Sequence, residues 1–211
     1  MGAPELVCFD WDGTLIDTQD NISKACIAAG IDLGYKPASQ DKLSSLVGMH
    51  AEEFFPAVFG HDIDFDSFMK TYHMHYDKLP IAPLFPGVEA LLKKLASLNI
   101  QVSIVTNKSR HSLEMELAAH PIEQYIQSKW VAEENIAKPS PVMIRNAQSA
   151  HHVLPENTWM VGDALPDLYA GQRAECSKII IVSHADLPTW VDHVLQVSDI
   201  QEILPLLKVS S

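Results

Sequence analysis

The stretch VCFDWDGTLIDT, residues 7–18, decides the fold. An apolar run ends in two aspartates, Asp10 and Asp12, with only Trp11 between them. Like charges this close repel, and each loses hydration where the strand is buried. A fold tolerates the pair when a cation or a proton-transfer task stabilises it. On extended chain both carboxylates face one side and Trp11 faces the other. Gly13 lets the backbone turn sharply just beyond, and its amide can approach a bound anion.

Working outward, further apolar runs repeat the pattern of ELVCFD at residues 5–10. They are QVSIVT (Gln101–Thr106), SKWVA around Lys129, TWMVGD at 158–163, KIIIV (Lys178–Val182) and HVLQV at 193–197. Continuous apolar strands predict a sheet covered on both faces. Helical spacing lies between them. Val88, Leu91, Leu92, Leu95 and Leu98 share a face, with Asn99 as a left-handed stop. The segment SPVMIRNAQSAHHV opens with Ser140 as N-cap and Pro141 at the first helical position. DIQEILPLL predicts a short closing helix after Asp199. This alternation predicts an α/β fold with a doubly wound, parallel, Rossmann-like sheet.

Between about residues 18 and 83 no strand is apparent, only helical patterns: Ile22, Ala25, Cys26 and Ala29; Leu43, Leu46 and Val47; Phe65, Phe68, Met69, Tyr72 and Tyr76. Gly30, Gly34, Pro37, Gly48 and Pro56 are expected to punctuate them. This predicts a small helical domain at 18–83 inserted into a core domain of residues 1–17 and 84–211. The proline-rich LPIAPLFPG at 79–87 returns the chain as a stiff linker.

Composition bounds the function. The 211 residues are 47% apolar and 20% charged, as a globular protein with a core requires. A net charge of −12 argues against nucleic-acid or anionic-membrane partners, which need a basic face. It still permits a small anionic substrate, because a metal ion and one lysine reverse the field inside a pocket. No apolar run spans a bilayer, and no secretory signal is visible. Gly2 lacks the hydroxyl residue that myristoylation expects, that position being Leu6. Cys8, Cys26 and Cys176 are odd in number and far apart, which predicts buried free thiols and a cytoplasmic protein. The sequence carries no reading of oligomeric state.

Ligands of an open parallel sheet bind beyond the carboxyl ends of its strands. The first strand delivers Asp10 and Asp12 there, and the second delivers Thr106 and Asn107. The segment after the third delivers Lys138, and the fourth delivers Asp163 with Asp167 four residues on. Four carboxylates need a cation, and an oxygen-only set suits Mg²⁺. Mg²⁺ keeps waters and phosphate oxygens as ligands, so a phosphate is the expected substrate. Asp10, beside Mg²⁺ and Lys138, can attack phosphorus while Asp12 protonates the leaving oxygen.

These residues resemble the haloacid dehalogenase superfamily. DWDGT, SIVTNKS, AKPSP and GDALPD match its four motifs in order, over about residues 5–182. The resemblance implies a phosphatase with Asp10 as nucleophile, forming an aspartyl-phosphate, and Asp12 as general acid and then base. It implies Thr106 and Asn107 on the phosphoryl group, Lys138 neutralising charge, and Mg²⁺ held by Asp10, Asp163 and the Asp12 carbonyl. Asp167 supports the metal shell or orients Lys138. The Thr–Asn–Lys order at Thr106 and the PGV before the helix look most like the phosphoglycolate-phosphatase-like branch with a helical cap. Ala164 departs from the pattern, since relatives often carry Ser or Thr there.

Rival readings stay open. A β-phosphoglucomutase-like phosphomutase would use the same Asp10 and Asp12. A dehalogenase does not need a general acid at Asp12. A phosphonate hydrolase would need a cap lysine, and neither Lys24, Lys36 nor Lys42 stands out. A non-catalytic binding protein on this scaffold is a different class. Among the histidines, His50 after Gly48 is a candidate substrate contact in the cap. His73 and His75 point about 200° apart on a helix and cannot share a metal. His151 and His152 fall at a helix end, where the dipole favours them.

Overall fold

The computed structural model describes residues 3–36, 39, 42–43, 51–60, 63–182 and 194–207, with only the backbone described for 51–54. Strand β1 is Leu6–Phe9, four consecutive buried residues. It pairs in parallel with β2 (Gln101–Thr106) on one side and β4 (Thr158–Gly162) on the other. With β3 (Ser128–Val131), β5 (Lys178–Val182) and β6 (Val194–Val197), the sheet runs β3-β2-β1-β4-β5-β6, all parallel. The order reverses on either side of β1, so the crevice of a doubly wound sheet opens at the carboxyl ends of β1 and β4. Phe9 lies level with Ile104 and Val161, which brings Asp10, Thr106 and Asp163 to one edge.

Strand alternation divides the core between two faces. Val7 and Phe9 join Leu91, Leu92, Leu95, Leu113, Leu117 and Ile203 on one face. Leu6 and Cys8 join Met143, Ile144, Leu168 and Ile181 on the other. Each such side chain, fully buried, contributes roughly 1.5–3 kcal/mol. Trp11 is fully buried with the first group.

The helices follow the spacing with small differences. Helix Val88–Ser97 buries Val88, Leu91, Leu92 and Leu95, and Asn99 stops it at φ 56°. Helix Val142–His151 begins one residue later than Ser140 and Pro141 predict: Pro141 holds the cap position. Ser140 Oγ still accepts from the Val142 amide at 3.4 Å. Residues Ile200–Leu207 form a 3-10 helix rather than an α-helix. Pro205 inside it has no N–H to continue an α ladder. Cys8 and Cys26 are buried free thiols, whereas Cys176 is only half-buried.

Between β1 and residue 83 lie helices Gln19–Asp32, Ala51–Phe59 and Phe65–Tyr76. Cys26, Ala29, Leu43, Phe55, Val58 and Phe68 form a separate apolar cluster. Phe68 stacks obliquely on Phe55 and Phe59, with centroids 4.4 and 4.8 Å away. Gly30 and Pro56 do not punctuate these helices as expected. Gly30 is inside the first helix and Pro56 inside the second. Packing explains Gly30, since a side chain there would collide with the Phe59 ring. The chain leaves and re-enters the sheet through paired segments. The Asp17 amide donates to Pro83, the Phe85 amide donates to Leu15, and Ile16 bridges Leu84 antiparallel.

Candidate active site

The carboxyl ends of β1 and β4 and the loop after β3 converge on one ion-paired group. Lys138 Nζ donates to Asp10 Oδ1 and to Asp167 Oδ1, both at 2.6 Å. All three residues are buried. Asp167 Oδ2 accepts from the amides of Asp163 at 3.2 Å and Ala164 at 3.1 Å. Asp167 thus orients Lys138 with one oxygen and ties down the fourth-strand loop with the other. Carboxylate oxygens of Asp10, Asp163 and Asp167 lie within 4.8 Å of one another.

Two glycines make room for this group. Gly13 sits at φ 77°, and a Cβ there would collide with the Asp163 carboxylate. At Gly162 a Cβ would collide with Asp167. Thr14 Oγ1 reaches Asp163 Oδ1 at 3.4 Å, at the outer limit of a hydrogen bond.

Burial dominates the electrostatics. It pushes the Asp10 carboxyl from its ordinary 3.8 up to about 7; Lys138 pulls the other way, and Asp167 adds to the rise. Asp163 is also raised well above the carboxylate range, by burial and then by Asp167 and Asp10. Burial alone would lower the Lys138 ammonium, but Asp10 and Asp167 more than reverse this and raise it. One lysine therefore does not offset three clustered carboxylates. A hard cation among these oxygens would, and the all-oxygen donor set fits one.

The remaining predicted residues divide into three arrangements. Thr106 is buried, and its Oγ1 accepts from the Lys108 amide at 3.1 Å, which leaves its hydroxyl proton for a ligand. Both ends of the Asn107 side-chain amide bond the backbone of Lys138. Its Oδ1 accepts from the Lys138 amide at 2.9 Å and its Nδ2 donates to the Lys138 carbonyl at 3.2 Å. Asn107 therefore clamps the backbone that carries Lys138, whose peptide bond to Pro139 is cis. Asp12 accepts at Oδ1 from Thr18 Oγ1 at 2.6 Å and from Lys108 Nζ at 2.9 Å.

Sequence reasoning counts Lys108 only in the Thr–Asn–Lys order and Tyr76 only on a helical face, and it places neither of them, nor Glu116 or Thr18, in the site. Glu116 carried a signal: it shares the buried face of helix Arg110–Ala118 with Leu113 and Leu117. A carboxylate on an apolar helix face requires partners, and it has three. Trp11 Nε1 and Tyr76 Oη donate to it at 2.6 and 2.5 Å, and Lys108 lies at 3.2 Å.

His50 lies outside the described residues. His75 Nε2 pairs with Asp32 Oδ2 at 2.7 Å, and buried His73 Nδ1 has no partner among the described residues. His151 bonds Ser128 Oγ at 2.9 Å, while His152 terminates its helix at φ 55°.

The family model of the haloacid dehalogenase-like hydrolases matches residues 7–181. The chain belongs to this family. Among curated relatives of this haloacid dehalogenase-like hydrolase, the phosphoglycolate phosphatase of Neisseria gonorrhoeae is 30% identical over 188 residues. That match covers 83% of this chain and 78% of the relative. The pyrophosphatase PpaX of Oceanobacillus iheyensis is 30% identical over 178 residues, covering 80% of this chain and 78% of that one. These relatives put the hydrolase in the phosphoglycolate-phosphatase-like branch.

Solved structures share its fold. A haloacid dehalogenase-like family hydrolase from Streptococcus pneumoniae superposes with a TM-score of 0.84 at 21% identity, covering 97% of this chain and 99% of that one. CbbY from Rhodobacter sphaeroides, solved in complex with phosphate, superposes at 0.80 with 19% identity, covering 95% and 96%. Among the described residues, no helix is long and apolar enough to cross a membrane.

Proposed function

We propose that this hydrolase is a Mg²⁺-dependent phosphatase that removes the phosphoryl group from a small phosphorylated metabolite through Asp10. The observation that carries this reading is Lys138 bonded to both Asp10 and Asp167, with Asp163 alongside. An ammonium fixed between two carboxylates cannot serve as a base; it holds Asp10 in place and neutralises an incoming phosphoryl group. Asp10 and Asp163, with the Asp12 carbonyl, would hold Mg²⁺. The ion would supply the charge that keeps both carboxylates ionised and that draws phosphoryl oxygens into the crevice.

The chain's own residues then divide the reaction. An Asp10 oxygen attacks phosphorus and forms a new P–O bond as the ester P–O bond breaks. Asp12 gives its proton to the departing oxygen. Asp12 next takes a proton from water, the water oxygen attacks phosphorus, and the aspartyl–phosphorus bond breaks. Inorganic phosphate leaves, and both aspartates return to their starting states. The Thr106 hydroxyl donates to the phosphoryl group. Asn107 acts on it through the Lys138 backbone that its side chain clamps.

Residues 18–83 are the cap, which covers the crevice, limits water and selects the substrate. Phosphoglycolate is the first ester to assay, since relatives bear that enzyme's name. The test is release of inorganic phosphate from p-nitrophenyl phosphate and phosphoglycolate, with Mg²⁺ and with chelator. Wild type should turn over only with Mg²⁺, and Asp10→Asn should not turn over. Robust activity of Asp10→Asn would overturn the mechanism.

A further inference from the structure

We propose that Lys108 is a positioning residue, anchored by Tyr76 and Glu116, that holds Asp12 by one oxygen so that its other oxygen handles the proton. The inference rests on the phosphatase reading above. Lys108 Nζ lies 2.9 Å from Asp12 Oδ1, 2.9 Å from Tyr76 Oη and 3.2 Å from Glu116 Oε1. Two of its N–H groups hydrogen-bond Asp12 and Tyr76, and the Glu116 carboxylate forms an ion pair with the same ammonium. Lys108 is therefore not a free cation awaiting a substrate anion.

Its anchors are themselves fixed. Glu116 is buried, accepts from Trp11 Nε1 at Oε2 and accepts from Tyr76 at Oε1. Trp11 separates the two aspartates in sequence, so the network returns to the strand end that carries them. Thr18 Oγ1 also donates to Asp12 Oδ1, at 2.6 Å. Among the described residues no hydrogen bond reaches Asp12 Oδ2. The carboxylate is thus held at one oxygen and open at the other, as transfer to a leaving group needs.

Tyr76 adds a second consequence. It is the last residue of helix Phe65–Tyr76, while Lys108 and Glu116 flank the sheet. The Lys108 ring contact, 4.5 Å from the Tyr76 centroid, and the two hydroxyl bonds join that helix to the Asp12 carboxylate. A helix displaced from this seat takes one of the three anchors from Lys108.

The test compares two esters that differ in their need for an acid. p-Nitrophenolate leaves without protonation, whereas the phenol of phenyl phosphate requires it. kcat/KM reports only steps up to phosphoenzyme formation. For Lys108→Met, kcat/KM on phenyl phosphate should fall about 10–100-fold. On p-nitrophenyl phosphate kcat and KM should fall together, leaving kcat/KM within about threefold, because water activation by Asp12 then limits turnover. Tyr76→Phe, which removes only a hydroxyl, should show the same pattern at smaller amplitude and keeps the test decisive where Lys108→Met does not fold. Equal losses on both esters, or none on either, would overturn the proposal. No turnover by wild type, or full turnover by Asp10→Asn, would instead overturn the phosphatase reading.

Discussion

Replacing Asp10 with asparagine should stabilise the metal-free protein while abolishing turnover. The Asp10 carboxyl is raised from 3.8 to about 7 by burial, a value that already includes the pull of Lys138. The folded protein therefore keeps a proton that the unfolded chain has released. Stability from this group is fully present below about pH 4 and is lost as pH rises towards 7. At 1.36 kcal/mol per pH unit, the ionised carboxylate costs roughly 2 kcal/mol at pH 5 and about 4 kcal/mol at pH 8. Asparagine keeps the shape and an acceptor for Lys138, which retains Asp167 at 2.6 Å. For a chain of this size, 1 kcal/mol corresponds to about 2–4 °C in Tm. With water entry and the neighbouring Asp163 absorbing part of the effect, Asp10→Asn should melt about 5–15 °C above wild type at pH 8 in chelator. The gap should be about half as large at pH 5. Thermal denaturation followed by circular dichroism at the two pH values measures both. A variant that melts below wild type at pH 8, or a gap that does not grow with pH, would refute the reasoning.

Other perturbations act on the same strand ends. Mg²⁺ should raise the wild-type Tm more at pH 8 than at pH 5, since protonated Asp10 and Asp163 compete with the ion; Asp163→Asn should lose most of that response in the same melts. Gly13→Ala should lower kcat/KM about 100-fold, because a Cβ at φ 77° meets the Asp163 carboxylate and displaces it. Ala164→Ser should add about 0.5–1 kcal/mol, read as a Tm rise, because Ala164 occupies an extended N-cap position with no side-chain acceptor for helix Leu165–Arg173.

The parallel sheet was legible because its inner strands are largely buried on both faces and read as apolar runs, LVCF and KIIIV among them, whereas the edge strands β3 and β6 are only partly buried. The acids were legible because a parallel sheet sends every strand end to one edge. Asp10, Thr106, Lys138, Asp163 and Asp167 could therefore be grouped without coordinates. Helix ends were less exact. Ser140 and Pro141 compete for the same cap, and Gly30 looked like a breaker although a packed aromatic ring requires it inside a helix. The family resemblance placed Asn107 beside Thr106 at the phosphoryl group. Only the approach of the third-strand loop shows both ends of its amide engaged by Lys138.

The division between sequence and tertiary structure follows from the range of the forces involved. Period-2 and period-3.6 burial are local, so the residues 7–18 and the runs that resemble them determined the sheet, its direction and the edge that carries the chemistry. The partners of Asp12 are not local. Lys108 is 96 positions away and Glu116 is 105 positions from Trp11, while Tyr76 ends the helix Phe65–Tyr76 within the inserted segment. No periodicity links such residues. They meet because a buried carboxylate and a buried ammonium each require partners in a medium that water does not reach, and only the folded chain decides which ones are near enough.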